Sequence, residues 1–175
     1  GSPLVSARYA RSDERPEDAV IKAEIIAASL AAVELDAVAL GAADWMLGKD
    51  EVLSLVEDNE LPVLAANLRC GEEAPFPGTV VLQRGDKRIG VIGFTDGEVE
   101  GCEVLPPSEV SAEAMAAFEA EPLDLTVALM PLRTVDVQAW TRNGFSVDFI
   151  VDAGSGRTLI DAAAMDRSWL IASGS

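Results

Sequence analysis

The sequence predicts an α/β fold built on a largely parallel β-sheet. Two apolar segments suited to buried strands, residues 37–40 and 61–67, flank a segment with the apolar spacing of a helix. Strands that alternate with helices in this way form βαβ units, whose strands run parallel. A β-hairpin predicted over residues 79–94, with a tight turn at Gly85-Asp86, adds an antiparallel strand.

The length and composition indicate one globular domain. A chain of 175 residues, 49% of them apolar, suits a single large core. No apolar run reaches the roughly 18 residues that a membrane-spanning helix needs, so we expect no direct membrane insertion. Residues 1–15 are mixed and charged and are predicted to be an N-terminal arm or tag remnant, since Gly1-Ser2 is typical of the residues left by tag cleavage. Residues 16–175 are predicted to form the domain.

The charge balance is strongly acidic. Thirty acidic residues face 13 basic ones, which gives a formal net charge of -17. Such a chain repels phosphate backbones and anionic lipid, so binding to nucleic acid or to anionic membranes is disfavoured. A solvated acidic surface accounts for this composition, and a protein partner with a basic surface is the sharper alternative.

Four helices are predicted along the chain. The first begins at Pro16, because proline suits the first helical turn and the acids Glu17 and Asp18 follow at the positive end of the helix dipole. The second has Asp50 as its expected N-cap and ends at residues 59–60. The remaining predicted elements are helices over residues 108–121 and 134–142 and strands over residues 125–129, 145–152 and 169–172.

The two cysteines, Cys70 and Cys102, each lie next to a glycine in a loop that follows a predicted strand. They are predicted to form a disulfide, which would indicate an oxidising compartment. Two free thiols in a cytosolic protein are the alternative. The spacing does not support a metal site, because there is no Cys-x-x-Cys pair and the chain contains no histidine.

Loops follow the predicted strands at positions where an α/β fold places its ligand site, at the carboxyl edge of the sheet. Several of these strand-and-loop segments, in order, resemble the 5'-nucleotidase branch of the calcineurin-like metallophosphoesterases. Residues 35–44 resemble that family's strand and Gly-Asn-His-Glu/Asp loop, and residues 61–68 resemble its strand ending in Ala-Asn. The other similar segments are residues 87–94, 124–132, 147–156 and 169–175. The resemblance implies two mixed β-sheets packed face to face with flanking helices.

The resemblance fails at each position that would carry the chemistry. Ala42 and Ala43 stand where the family has asparagine and histidine, and Pro131 stands where it has another histidine. Gly154 and Gly156 take the places of two more histidines. Two-metal hydrolysis of phosphate esters needs such ligands to hold the ions and activate water. We therefore expect no metal, no cofactor and no catalytic residues in this chain.

Some polar and aromatic residues remain around the vestigial pocket that the resemblance implies. Each has a simpler structural role as well: loop capping, packing against the sheet edge, hydrogen bonding to backbone, pairing with the many acids, or forming a turn. The candidate ligand-binding residues are Asp44, Trp45, Asn67, Arg133, Ser155 and Arg157.

The functional expectation is a catalytically inactive phosphoesterase-fold domain that acts as a binding or scaffolding module in a bacterial envelope complex. The 5'-nucleotidase branch is largely periplasmic or on the cell surface, so the resemblance implies the periplasm or envelope. One alternative is a receptor that binds a nucleotide or anion in the old pocket. Another is a weak metal-dependent phosphoesterase completed by segments outside this chain.

Overall fold

The computed structural model describes residues 3–5, 16–118, 122–131, 145–152, 163–165 and 168–172. Its helices are α1 (Pro16–Ala32), α2 (Lys49–Asp58) and α3 (Pro107–Ala116), with a 3₁₀ turn at Asp44–Leu47. None of the described helices is long and apolar enough to cross a membrane.

Most of the strands form one six-stranded mixed sheet. The strands are β1 (Leu68–Arg69), β2 (Thr79–Arg84), β3 (Lys87–Gly93), β4 (Glu103–Val104), β5 (Leu125–Met130), β6 (Phe149–Asp152), β7 (Ala163–Met165) and β8 (Ser168–Ala172). The order in the large sheet is β2-β3-β5-β6-β8-β7. Its four central strands, β3, β5, β6 and β8, are parallel, and the two edge strands are antiparallel to their neighbours. The predicted hairpin is confirmed, with Gly85 at φ +62° in its turn.

Helices α1 and α2 pack on the first of two cores. Ala23 and Ala27 of α1 are completely buried, and the small alanine side chains let this helix lie close to the layer beneath it. Val52 is the fully buried anchor of α2. The layer beneath these helices contributes Val38, Leu40, Val63 and Ala65 to the same core.

Helix α3 covers the opposite face of the large sheet. Val110 and Phe118 share the second core with Ile92, Ile150 and Leu170 of the sheet. Since α3 connects the parallel strands β3 and β5, it forms the crossover that such a pair requires.

Leu64 joins the thin inner layer to the large sheet. A Cβ atom placed on Gly93 would lie 2.3 Å from the Cβ of Leu64, so only glycine permits this approach. The layers therefore run from α1 and α2, through residues 38–40 and 61–66, to the large sheet and then α3. The predicted α/β class with two sheets and flanking helices is confirmed; the second sheet, formed by β1 and β4, is small and antiparallel.

Three predicted strands are shorter than expected: residues 145–152 form a strand only over Phe149–Asp152, and residues 37–40 and 61–67 form only a bridge. This parallel bridge joins Val38 and Val63, held by bonds from Val38 N–H to Pro62 O and from Leu64 N–H to Val38 O. Pro62 has no N–H to extend this ladder.

Helix α3 ends at Ala116, before the predicted end at residue 121. The N–H of Phe118 bonds to the carbonyl of Met115, three residues back, and this tighter turn closes the helix. The helix predicted over residues 134–142 lies outside the described residues.

The predicted disulfide between Cys70 and Cys102 is confirmed. Leu68 pairs with Val104 and Arg69 with Glu103, so the register of β1 and β4 brings the two cysteines opposite each other. Their Cα atoms are 4.1 Å apart. The bridge fixes the end of a two-stranded ribbon whose four residues are too few to be stable alone.

Candidate functional site

Asp44 is the only acidic residue in the turn that follows residues 37–40, and it is fully buried. Its Oδ1 accepts hydrogen bonds of 2.8 Å from the N–H groups of Leu4 and Val5. Its Oδ2 accepts a third, also of 2.8 Å, from the N–H of Gly41. The carboxylate therefore closes its own turn and anchors residues 3–5, part of the predicted arm, to the core.

Trp45 and Thr95 connect this turn to the end of β3. The indole Nε1–H of Trp45 donates to Thr95 Oγ1 at 2.8 Å, and the threonine hydroxyl donates to Leu40 O at 2.9 Å. Trp45 is 6% exposed and Thr95 is 1% exposed. The indole is thus packed inside the protein.

Asn67 ties the end of β3 to the disulfide ribbon. Its Oδ1 accepts from Thr95 N–H at 2.8 Å, and its Nδ2 donates to the carbonyls of Thr95 and Leu105 at 3.0 Å. Its own backbone carbonyl accepts from Leu105 N–H. We call the four side chains Asp44, Trp45, Asn67 and Thr95 the strand-end network.

Ala42 and Pro131 stand where the resemblance places metal ligands, and Asp152 ends the strand next to β5. A Cβ placed on Gly97 would lie 2.7 Å from the Cα of Ala42, so the loop after β3 lies against the turn at Ala42. Pro131 is buried directly after β5. Asp152, at the end of β6, is 2% exposed and pairs in register with Met130.

These residues do not fit a two-metal centre. Such a centre requires several carboxylate or imidazole ligands around two ions about 3.5–4 Å apart. Ala42 and Pro131 offer no side-chain donor, and both carboxylate oxygens of Asp44 are engaged by backbone N–H groups. Within the described ranges, no three acidic, histidine or cysteine side chains are grouped so that they could hold an ion.

The structure brings together three of the predicted pocket residues, Asp44, Trp45 and Asn67, and adds Thr95. The polar atoms of these side chains bond to the chain itself. A role in binding a ligand stays a prediction. The other three, Arg133, Ser155 and Arg157, lie outside the described residues. Thr95 was missed, although the first polar residue after the apolar run of β3 is a signal for a strand-end side chain.

A cleft of about 460 Å³ lies apart from the strand-end network. It runs between residues 74–79 and one face of α3, which contributes Val110 and Glu113. Arg69 stands at its wall, but its Nη1 donates to the carbonyls of Ala66 and Leu68. The guanidinium is thus used largely to fix the local backbone.

Comparisons with known proteins identify the fold through structure alone. No family model matches the chain, and no curated protein matches its sequence. Among solved structures, the sulfate thiohydrolase SoxB of Thermus thermophilus is similar with a TM-score of 0.75 and 18% identity, over 88% of this chain and 30% of that one. The calcineurin-like phosphoesterase YfkN of Bacillus subtilis is similar with a TM-score of 0.67 and 18% identity, over 97% of this chain and 64% of that one.

A 5'-nucleotidase precursor from Thermus thermophilus gives a TM-score of 0.60 and 22% identity, over 74% of this chain and 28% of that one. The chain therefore spans between about a quarter and two thirds of the length of these three structures. Identities at this level establish the architecture and leave the activity open. The chain has the fold of the 5'-nucleotidases and calcineurin-like phosphoesterases.

Proposed function

We propose that this chain is a phosphoesterase-fold domain that does not hydrolyse phosphate esters and that acts as a protein-binding module. The observation that carries the proposal is the environment of Asp44. Three backbone N–H groups occupy its two carboxylate oxygens, so recruiting it as a metal ligand would leave those buried donors without their acceptor.

The neighbouring positions support the same conclusion. Ala42 and Ala43 present only methyl groups, and the loop carrying Gly97 lies against Ala42. A loop that packs on this turn is compatible with a structural role, and neither methyl group can ligate a metal ion.

A binding role in the envelope of a bacterium is the remaining part of the proposal. The disulfide between Cys70 and Cys102 fits an oxidising compartment such as the periplasm. Exposed apolar side chains on α1 supply a surface on which a protein partner can dock.

The test measures hydrolysis and metal binding on the same sample. Purified protein is incubated with p-nitrophenyl phosphate, bis-p-nitrophenyl phosphate and AMP in the presence of Mn²⁺, Zn²⁺ or Ca²⁺, and metal affinity is measured by calorimetry. We expect rates equal to those of the metal in buffer and no heat of stoichiometric metal binding. Metal-dependent turnover that disappears in Asp44→Asn, with the variant still folded by circular dichroism, would overturn the proposal.

A further inference from the structure

Helix α1 is apolar on two opposite faces, and only one of them is buried. Ala23 and Ala27 are 0% exposed, and Ile26 and Leu30 pack against the same core. On the other side, Ile21 is 54% exposed and Ile25 is 62% exposed. A surface helix normally presents its polar residues opposite the buried face, so the apolar outer face of α1 is suited to a partner.

The exposed residues form a continuous line along the helix. Ile21, Ile25, Ala28 and Ala32 are all exposed and follow one another at intervals of four, three and four residues. Positions with this spacing lie on one side of a helix. We call these four residues the α1 stripe. The stripe is narrow, and its C-terminal half consists of small alanines. It is therefore better suited to close packing against another helix than to packing against a broad flat surface.

The flanks of the α1 stripe are predominantly acidic. Helical geometry places Glu17 and Glu24 along one side, and both are exposed. The other side carries Asp18, Lys22 and Ser29, of which Ser29 donates to the carbonyl of Ile25. This charge distribution favours a partner whose apolar face is bordered by Lys or Arg. A second copy of this chain is disfavoured, because it would bring another net charge of -17 against the first.

We infer that the α1 stripe is the docking site for an amphipathic helix with basic flanks on a partner protein. The inference rests on the binding role proposed above and names its surface. The stripe supplies the apolar anchors, and the flank of Glu17 and Glu24 orients the basic side of the incoming helix.

The test uses a fluorescent peptide of Leu and Lys whose Leu residues follow helical spacing, with a peptide of the same composition in scrambled order as its control. Anisotropy titrations are run at increasing salt on the wild type and on Ile21→Ala/Ile25→Ala. We expect the amphipathic peptide to bind at least about tenfold more tightly than the scrambled one, and the double variant to lose about tenfold in affinity.

Two further variants separate apolar docking from general attraction to an acidic protein. Ile171→Thr removes an apolar side chain that is 40% exposed on β8, away from α1, and should change affinity by less than about twofold. Glu17→Gln/Glu24→Gln should weaken binding and flatten its salt dependence.

Absence of binding, equal binding of the two peptides, or unchanged affinity of the Ile21/Ile25 variant would each overturn the inference. None of these outcomes bears on the hydrolysis and metal measurements, which decide the proposed loss of activity separately.

Discussion

The strand-end network and the α1 stripe both depart from the usual distribution of side chains, in which polar groups are exposed and apolar groups are buried. In the network, polar groups such as Asp44 and Asn67 are buried, and each makes several hydrogen bonds to the chain. In the stripe, Ile21 and Ile25 are apolar and more than half exposed. The buried polar residues are therefore explained by folding, whereas the exposed apolar residues are not.

The two regions also differ in where they lie in the fold. The network lies at strand ends, where α/β folds commonly place a ligand site, yet its hydrogen bonds go to the chain itself. The stripe lies on an outer helix, on the far side of the first core from the large sheet. A function for this chain is therefore better sought on α1 than at the strand ends.

The largest expected effect is on the stability of the network. Asp44→Ala leaves the N–H groups of Leu4, Val5 and Gly41 without their acceptor and should lower the free energy of unfolding by about 4 kcal/mol. Urea denaturation followed by circular dichroism measures the change. Asp50→Ala, in the exposed first turn of α2, is the control and should cost less than about 1 kcal/mol. Equal losses in the two variants would remove the structural explanation of Asp44.

Loss of the disulfide should have the next largest effect. The bridge closes a loop between residues 32 positions apart, so Cys70→Ser/Cys102→Ser should lower stability by about 3 kcal/mol. The same ribbon positions Leu105 for its bonds to Asn67, so the network should loosen as well. Hydrogen exchange of the Leu105 amide reports this directly. Unchanged protection of that amide would show that the network does not depend on the bridge.

A smaller effect is expected where one hydrogen bond joins two network residues. Trp45→Phe removes the donor and Thr95→Val removes the acceptor of the bond between them. Thr95→Val should cost about 2 kcal/mol because it also loses the bond to Leu40 O. In a double-mutant cycle, the coupling energy should be about 1 kcal/mol. A coupling energy near zero would mean that the two residues contribute independently.

The smallest effect on stability is expected at the α1 stripe. Ile21→Ala/Ile25→Ala removes partly exposed side chains and introduces the best helix former, so stability should change by less than about 1 kcal/mol. Thermal and urea unfolding measure this, with Ala27→Ser on the buried face of the same helix as a destabilising comparison. A large loss of stability in the stripe variant would show that these isoleucines contribute to folding. The stripe would then not differ from the network in this respect.

The order and type of the elements followed largely from local signals. The hairpin at residues 79–94 was predictable because its turn chemistry and its apolar runs are contiguous in the chain. Helices α1 and α2 were predictable from apolar spacing, since a helix is closed by bonds between near neighbours. The thin bridge between Val38 and Val63 was not, because the number of ladder bonds depends on how two distant segments meet.

The sequence alone shows that Ala42, Ala43 and Pro131 stand where the family that it resembles has asparagine or histidine, and that the chain has no histidine. The sequence also indicated that the polar residues Asp44 and Asn67 lie near the ends of predicted strands. How Asp44 and Asn67 are used depends on the tertiary structure, because most of their partners are backbone groups of residues tens of positions away. The exposure of Ile21 and Ile25 likewise depends on the tertiary structure. A helical repeat of apolar residues does not say which face meets the core, and α1 has two such faces.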